Sequence, residues 1–275
     1  MKLINPENIR ELTSLNPFER FHDGRPKVPD NLLKRMEKVT TEEAWGVIGS
    51  HGYDHQFEGD WFNLRPERIL VGRAVTGRYV PTRPDLNDLV QKEGEENNRI
   101  GGQNSWIIDT LVEGDVIVIE LFGKIVRGTF VGDNLSTAIS ANTVGRGMVI
   151  DGGIRDYQRI AEIENLTGFV KGLHPTAIGD VTLTEINGPV RIGKATVLPG
   201  DVVLGTPTGV IFVPPHLVTE VVDRSEDIRL RDYWGKAQIE KGIHTPGEID
   251  RKWEDHIEAA FIDWCTTHSL DDIES

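Results

Sequence analysis

Apolar runs separated by glycine-containing breaks fill the middle of the chain and predict a sheet of buried strands. Residues 116–121 are β-branched and almost entirely apolar, which is typical of a central strand. Residues 148–150 form a shorter apolar run, and residues 125–131 also have a strand-like pattern. Further short strands are predicted at residues 69–76, 168–171, 189–192, 195–198, 202–205 and 209–213.

The chain divides into three predicted segments. Residues 1–40 contain an irregular arm with several prolines, followed by an amphipathic helix over residues 30–39. Residues 41–215 alternate strand and helix patterns, as α/β domains do. Residues 216–275 are helical in pattern and begin with a long charged helix over residues 216–235. We therefore predict an α/β core with a helical extension at each end.

An aromatic stripe marks the last predicted helix. Trp253, Ile257, Phe261 and Trp264 recur at intervals of three or four residues, so they lie on one helix face. A lone exposed helix would not leave such a stripe in water, and the pattern therefore predicts a core or a subunit interface. We expect this tail to support assembly of the protein.

Composition and charge argue against several classes of partner. The chain has 275 residues and a formal net charge of −14, which repels nucleic acid and anionic lipid. No apolar stretch is long enough to cross a bilayer, and the first residues lack the pattern of a secretion signal. Cys265 is the only cysteine, so no internal disulfide can form. These features predict a cytoplasmic protein that binds neither nucleic acid nor membranes.

Charged residues follow the short apolar run at residues 148–150. The sequence Asp-Gly-Gly at residues 151–153 predicts a tight turn, because glycine adopts backbone angles that other residues reach only with strain. Arg155 and Asp156 come next, directly before helical spacing that starts at Tyr157. This pair is therefore predicted to lie at a junction between a strand and a helix.

A second junction of the same form lies upstream. The strand over residues 125–131 is followed by Asp133, which opens a predicted helix over residues 136–142. Ligands of open α/β folds bind beyond the carboxyl ends of strands, so Asp133, Arg155 and Asp156 form the candidate site. The alternative is that Arg155 and Asp156 form only an exposed salt bridge, with Asp156 as a helix N-cap.

Two other sets of polar residues give weaker indications of a metal site. His51 and His55 are four residues apart, as metal ligands on one helix face are, but Gly52 favours a loop. The acidic stretch at residues 88–98 lacks the alternating oxygen ligands of a calcium loop. We interpret it as solvated surface.

Several segments of the chain match one known family in order. They are LVGRAVT at residues 70–76, GDVIV at residues 114–118, GDNL at residues 132–135, GMVIDGGIRD at residues 147–156, GDVV at residues 200–203 and GVIFVP at residues 209–214. On these segments the chain resembles the RraA-like family, which includes 4-hydroxy-4-methyl-2-oxoglutarate aldolases and relatives named for a ribonuclease regulator. The family pattern is an acidic residue, a spacer of about twenty residues and then Arg-Asp. Asp133, Arg155 and Asp156 fill these positions, with a spacer one residue longer.

The resemblance implies a swivelling β/β/α fold that assembles into homotrimers or homohexamers, with active sites at subunit contacts. It implies that Asp156 holds a divalent ion, Mg²⁺ or Mn²⁺, which polarises the 2-oxo group of a substrate. Arg155 would stabilise the enolate that forms as the carbon–carbon bond breaks, and Asp133 would orient a water or transfer a proton. The backbone N–H groups of Asn134 and Leu135 would bind the substrate carboxylate.

Three functional hypotheses follow. The first is a metal-dependent lyase that cleaves a 4-hydroxy-2-oxo acid to pyruvate and a carbonyl compound, with oxaloacetate decarboxylation as a side activity. The second is a non-enzymatic regulator that binds a nuclease or helicase, which would have no need of Asp133, Arg155 and Asp156. The third is a methyltransferase, whose glycine-rich cofactor loop has only a weak counterpart at residues 145–147. The sequence favours the lyase.

Overall fold

The computed structural model describes residues 2–273. The strands are β1 (Phe57–Glu58), β2 (Phe62–Asn63), β3 (Leu70–Pro81), β4 (Asp115–Thr129), β5 (Gly147–Ile154), β6 (Thr167–Leu173), β7 (Val181–Ile186), β8 (Val190–Ile192), β9 (Ala195–Val197), β10 (Val202–Thr206) and β11 (Gly209–Val213). The helices are α1 (Pro6–Leu12), α2 (Asp30–Met36), α3 (Thr41–Ser50), α4 (Pro84–Glu96), α5 (Gln103–Ile108), α6 (Asp133–Thr143), α7 (Tyr157–Ile160), α8 (Val218–Glu240), α9 (Pro246–Ile249), α10 (Asp255–Cys265) and α11 (Leu270–Ile273). Across residues 2–273, no helix combines the length and hydropathy needed to cross a membrane.

A large mixed sheet organises the fold. Its strands lie in the order β1-β11-β10-β3-β4-β5-β6-β2, and β7 pairs with the second half of β3. The pairs β3–β4, β4–β5 and β5–β6 are parallel, whereas β3 is antiparallel to both β10 and β7. The carboxyl ends of β4, β5 and β6 therefore meet at one edge, where α/β folds bind ligands.

Both faces of the central strands are buried, which explains their nearly continuous apolar sequence. On one face, Ile117 and Ile150 belong to a core that includes side chains of α4, α5 and α6. On the other face, Val118 and Val149 pack with the hairpin of β8 and β9. The α/β class predicted from the sequence is confirmed. The division of the chain at residues 40 and 215 stays a prediction.

The turn predicted over residues 151–153 is wrong, because β5 continues through both glycines to Ile154. A Cβ atom added to Gly152 would lie 2.8 Å from Leu121 Cδ2 and 3.0 Å from the carbonyl oxygen of Lys124. Glycine is required here because the bent neighbouring strand comes close, and not because the chain reverses.

The strands predicted separately over residues 116–121 and 125–131 are largely one strand, β4. Phe122 and Gly123 have φ values of 43° and 70°, in the left-handed region. At this point β4 shifts its register against β5 and then resumes pairing. β4 therefore bends where the sequence pattern suggested an end.

A buried ionic cluster holds the N-terminal arm on the core. The guanidinium of Arg25, which is 1% exposed, donates to the two carboxylate oxygens of Asp115 at 2.9 and 3.2 Å. Its Nε also donates to Asp23 at 2.6 Å. The ring of Phe21 lies 4.8 Å from Arg25 Cζ and 5.4 Å from Arg73 Cζ. These contacts fix the arm against the amino end of β4.

The replacement Asp115→Asn is expected to lower the free energy of unfolding by about 3 kcal/mol, because it removes the buried carboxylate that pairs with both terminal nitrogens of Arg25 and leaves only Asp23 as an ionic partner. Urea denaturation measures this loss. The matched control is Asp232→Asn, which removes an exposed pair with Lys236 and is expected to leave the urea midpoint unchanged. Equal losses in the two variants would show that the buried cluster does not stabilise the arm.

The aromatic stripe near the C-terminus packs inside the same chain. The predicted single helix is interrupted, since α9 and α10 are separate. Ile257 and Phe261 of α10 form a small core with Trp234 of α8, which is buried. The ring of Trp253 also packs on Trp234, with 5.2 Å between centroids. Because α8 covers the stripe, its burial is explained within one chain, and the role of the tail in assembly stays a prediction.

Removal of residues 245–275 is expected to loosen the distal half of α8, because Trp234 would lose the aromatic partners that bury it. Loss of a buried aromatic contact of this size corresponds to about 3 kcal/mol, or about a hundredfold faster amide exchange in residues 228–240. Hydrogen exchange followed by mass spectrometry measures it, with the amides of β4 as the internal control. Unchanged protection in α8 would show that the tail does not support it.

Candidate active site

The two predicted junctions lie side by side at the carboxyl edge of the sheet. The amide of Phe130, just after β4, donates to the carbonyl oxygen of Gly153 at 2.8 Å. The amide of Arg155, just after β5, donates to the carbonyl oxygen of Val131 at 3.0 Å. Pairing thus continues beyond the regular strands and fixes the two strand ends together.

Gly132 is the point at which the two junctions touch. A Cβ atom at this position would lie 2.5 Å from Asp156 Oδ2 and 3.0 Å from Arg155 Cζ. Any larger residue would therefore displace the charged pair. The glycine also leaves the start of α6 directly next to the guanidinium and the carboxylate.

Arg155 and Asp156 form an ion pair, with 2.7 Å between Arg155 Nη1 and Asp156 Oδ2. Their side chains are 41% and 32% exposed, so the exposed salt bridge of the alternative interpretation is present. Asp156 does occupy the N-cap position of α7, but its side chain makes no capping hydrogen bond to that helix. Asp156 also has a φ of 57°, a left-handed conformation that carboxylate and amide residues adopt more readily than most. This conformation turns the backbone between β5 and α7, and the side chains of Arg155 and Asp156 lie together in the site.

Among residues 2–273, the first backbone N–H groups of α6 have no hydrogen-bond partner. The first backbone hydrogen bond of this helix runs from the amide of Ser136 to the carbonyl oxygen of Gly132 at 3.0 Å. The N–H groups of Asp133, Asn134 and Leu135 precede it, and Gly132 has no side chain that could cap them. The positive end of the helix dipole and these donors favour an anionic group.

Asp133 lies in this first turn and faces Arg159 of α7. Its Oδ2 is 3.8 Å from Nη1 of Arg159, a long and largely exposed ion pair. The structure thus brings Asp133 to the same edge as Arg155 and Asp156, as the sequence pattern predicts. Asn134 is exposed and Leu135 is partly buried against the core.

A cleft of about 330 Å³ opens beside the charged pair. Its lining comes from the junction after β5 and from the loop after β6: Ile154, Arg155, Asp156, Tyr157, Gln158, Leu173, His174 and Pro175. Asp133, Asn134 and Leu135 do not line it. The cleft therefore contacts two of the predicted site residues, and the start of α6 borders the pair from another side.

His174 lines the cleft; its sequence position on a loop allows an approach to the site but favours a structural role. Its Nδ1 accepts a hydrogen bond from the amide of Thr176 at 3.3 Å and lies 3.0 Å from the Thr176 hydroxyl. Because Nδ1 is an acceptor, the neutral ring carries its proton on Nε2.

Asn104 is a residue that the sequence analysis overlooked. Its Nδ2 donates to the carbonyl oxygen of Phe130 at 2.8 Å, and so it holds the segment that leads to Gly132. The contact joins residues from two elements that are far apart in the sequence. No pattern of spacing could have revealed it.

The side chains at this edge of the sheet offer few ligands for a divalent ion. Within residues 2–273, no group of three or more His, Cys, Asp or Glu side chains is arranged to hold a metal. Mg²⁺ needs fewer protein ligands, because it retains several waters and binds through one or two carboxylates and its substrate. Asp156 offers such a carboxylate, and its Oδ1 makes no hydrogen bond within the described part of the chain. The residues therefore fit a water-rich Mg²⁺ or Mn²⁺ site.

The two histidines of the weaker metal hypothesis lie elsewhere. His51 and His55 are exposed on the loop after α3, as the sequence analysis favours. His51 Nε2 lies 2.9 Å from a carboxylate oxygen of Glu220, so it joins this loop to α8.

Comparison with known proteins identifies the family. A family model described as RraA-like, Aldolase/RraA, matches residues 38–212. The chain belongs to the RraA-like family. The segments that carry the resemblance in the sequence are thus part of a match over most of the core.

The names of individual RraA-like relatives differ. The chain is 30% identical over 144 residues to a Halalkalibacterium halodurans protein named "Putative 4-hydroxy-4-methyl-2-oxoglutarate aldolase", which covers 51% of this chain and 67% of that one. It is 26% identical over 232 residues to Protein DlpA of Legionella pneumophila, covering 82% of this chain and 34% of DlpA. The chain therefore spans about a third of DlpA.

A solved structure shares the RraA-like fold. The crystal structure of Streptomyces coelicolor RraAS2, described as an unusual member of the RNase ES inhibitor RraA protein family, matches with a TM-score of 0.62 at 22% identity. The match covers 80% of this chain and 99% of that chain. At this identity the likeness shows the fold alone. The names of these similar proteins thus include both an enzyme and a regulator.

Proposed function

We propose that this RraA-like protein is a divalent-metal-dependent lyase that cleaves a 4-hydroxy-2-oxo acid to pyruvate and a carbonyl compound. The observation that carries the proposal is the contact of Arg155 and Asp156 with Gly132, at the uncapped start of α6. This arrangement combines a fixed cation, a carboxylate and free backbone N–H donors in one place. A 2-oxo acid needs partners of these three kinds.

Each part of the site has a defined task in this proposal. The N–H groups of Asn134 and Leu135 bind the substrate carboxylate at the positive end of α6. The guanidinium of Arg155 stabilises the negative charge that develops on the 2-oxo oxygen as the bond between carbons 3 and 4 breaks. Its permanent charge and planar fork suit that task better than an ammonium group.

Protons must also move during the cleavage. The 4-hydroxyl group loses its proton as it becomes the new carbonyl, and carbon 3 gains one as pyruvate forms. Asp133 orients the water that exchanges these protons, in keeping with its half-exposed position beside the site. The lyase reaction is thereby balanced without an external oxidant or reductant.

Asp156 would hold the Mg²⁺ or Mn²⁺ ion through the carboxylate oxygen that Arg155 leaves unbonded. When bound, such an ion supplies a Lewis acid for the 2-oxo group, which also suits oxaloacetate for decarboxylation as a side activity. The same Asp156 carboxylate keeps Arg155 in place through their ion pair.

We also propose that the protein acts in the cytoplasm as a homotrimer or homohexamer, without nucleic-acid or membrane partners. Exposed apolar side chains support the assembly, since Phe122, Val126 and Leu173 are 37%, 56% and 39% exposed. Leu173 lines the cleft itself. The net charge of −14 supports the lack of polyanionic partners. Analytical ultracentrifugation measures the mass of the assembly.

A pyruvate-release assay tests the enzymatic proposal. Purified protein is supplied with a panel of 4-hydroxy-2-oxo acids and with oxaloacetate, after EDTA treatment and again after addition of Mg²⁺ or Mn²⁺. We expect pyruvate only when the metal is present. Turnover that survives EDTA would contradict the metal-dependent mechanism. A complete lack of turnover over the panel would favour the regulator, which binds a nuclease or helicase without chemistry.

The replacement Asp133→Asn is expected to reduce turnover at least about tenfold, because the neutral amide cannot accept a proton from the water that it orients. Affinity for the metal should not change, since Asp133 is not the proposed ligand. Steady-state kinetics at saturating Mg²⁺ measure the first effect, and titration with Mn²⁺ measures the second. A loss of metal affinity equal to the loss of turnover would move Asp133 into the metal site.

A further inference from the structure

A second cavity lies at the opposite end of the sheet from the candidate active site. Its volume is about 330 Å³, and its lining is mostly apolar. Leu12 and Leu15 of the N-terminal arm form one wall, while Tyr53, Leu198, Asp201 and His216 contribute from the core. Residues 12–15 and His216 lie outside residues 38–212, so the cavity depends on parts of the chain beyond the family match.

Asp201 is an unusual residue for such a cavity. It is 3% exposed, and its Oδ2 accepts a hydrogen bond from the amide of Leu198 at 2.8 Å. Its Oδ1 makes no hydrogen bond within residues 2–273, and no ion pair to it is found there. Burial raises the pKa of Asp201 to about 7, although the Leu198 amide acts in the other direction. By contrast, the buried Asp115 has Arg25 as a full ionic partner.

The position of Asp201 separates this cavity from the Arg155 site. Its carbonyl oxygen accepts the amide of Ala74 at 2.8 Å, and the next residue pairs with Arg73. Arg73 in turn pairs with Asp115 at the first residue of β4. The cavity therefore lies near the amino ends of β3 and β4, whereas Arg155 lies at the carboxyl ends of the parallel strands.

We propose that this cavity binds a small organic monoamine with an apolar body, whose ammonium group pairs with Asp201. An ammonium group would supply the ionic partner that Asp201 lacks, and the apolar walls would bury the rest of the ligand. Tyr53 adds an aromatic ring to the lining, which favours a cation. The net charge of −14 favours a cationic ligand and opposes an anionic one. The proposal does not depend on the lyase function.

Other charged or titratable groups near the cavity have partners of their own. Arg20, beside the lining residue Thr13, donates to the hydroxyl and the carbonyl oxygen of Thr13 and to the carbonyl oxygen of Gly24. Tyr53 and His216 are in contact, with 3.3 Å between the Tyr53 hydroxyl and His216 Nε2. Burial, followed by the nearby His51, lowers the pKa of His216 and keeps this ring neutral near pH 7. His51 itself pairs with Glu220. Asp201 is thus the group whose charge decides which ligand enters.

Isothermal titration of the full-length protein with benzylamine and phenethylamine tests the proposal. Benzyl alcohol and benzoate serve as neutral and anionic probes of similar shape. We expect the amines to bind at least about tenfold more tightly than either of these at about pH 8. Equal affinity for benzyl alcohol, or no amine binding, would overturn the proposal.

The pH dependence provides a second criterion. Ionised Asp201 binds the ammonium group, so amine affinity should fall about tenfold between about pH 8 and about pH 6 as this carboxylate is protonated. The probes remain cationic over this range. An affinity that is constant between these two values would contradict the role of Asp201.

Two variants complete the design. Asp201→Asn keeps an acceptor for the Leu198 amide and should abolish amine binding, while its melting temperature stays at or above that of the parent. Asp54→Asn removes an exposed carboxylate from the same loop as Tyr53 and should leave amine binding unchanged. If Asp201→Asn folds normally and still binds benzylamine as the parent does, the ammonium site is not at Asp201. If it fails to fold, Leu12→Trp, which fills the cavity from the arm, must abolish binding, and retained binding would overturn the proposal.

Discussion

Replacing Arg155 by lysine is expected to lower the turnover of the proposed lyase by about a hundredfold. Lysine keeps the positive charge but loses the planar guanidinium, which can pair with Asp156 and face the reacting oxygen at the same time. The loss should therefore occur mainly in kcat, because the charge that Arg155 stabilises develops only in the transition state. Metal affinity should survive the replacement.

The controls for Arg155→Lys separate this role from a general effect of charge or folding. Arg83→Lys changes an arginine that is exposed, is paired with Asp85 and does not line the cleft, and it should leave kcat unchanged. The melting temperature of Arg155→Lys should equal that of the parent, because the Arg155–Asp156 pair is partly exposed. A variant that folds, binds metal and turns over at the parent rate would remove Arg155 from the mechanism.

The location of the candidate site could be predicted from the sequence because it depends on short-range features. Asp133 and Arg155 each follow an apolar strand pattern, and parallel neighbours bring such strand ends to one edge. The resemblance to the RraA-like family adds the spacing between them. The contact through Gly132 could not be predicted, because it depends on the register of β4 against β5.

The errors in the predicted strands have a common physical cause. Local pattern treats glycine as a sign of a turn, but Gly152 is in β5 because Leu121 and Lys124 of the neighbouring strand come too close for a side chain. Likewise, the break in hydrophobicity near Gly123 is a bend in β4 and not its end. In both cases the neighbouring strand decides the outcome. At Gly152 it leaves no room for a side chain, and near Gly123 the register of β4 against β5 shifts.

Long-range charge pairs were also beyond the sequence analysis. Arg25 and Asp115 are 90 residues apart, and each resembles an ordinary surface charge in its local sequence. The aromatic stripe of the tail is a related case. Its apolar face could be identified from the spacing, but its partner, Trp234 of α8, could not. Patterns in one segment show which face is buried, and only the folded chain shows what covers it.

Replacing Asp156 by asparagine is expected to weaken the binding of Mg²⁺ or Mn²⁺ by about a hundredfold, because it removes the anionic ligand and retains the shape. Asparagine also tolerates the left-handed backbone conformation that Asp156 adopts at a φ of 57°. The variant should therefore fold normally. Its defect should come from the loss of the carboxylate that binds the metal, and not from a change in the backbone.

Two measurements are needed to test this expectation. Direct titration of the protein with Mn²⁺, followed by electron paramagnetic resonance, reports metal affinity without any substrate. Pyruvate release at increasing Mg²⁺ then reports rescue, and we expect excess metal to restore part of the activity of Asp156→Asn. Asp133→Asn is the matched control, since it should bind Mn²⁺ as the parent does and gain nothing from excess metal. If Asp156→Asn bound Mn²⁺ like the parent, the ion would have to be held elsewhere, and the proposed division of tasks between Arg155 and Asp156 would fail.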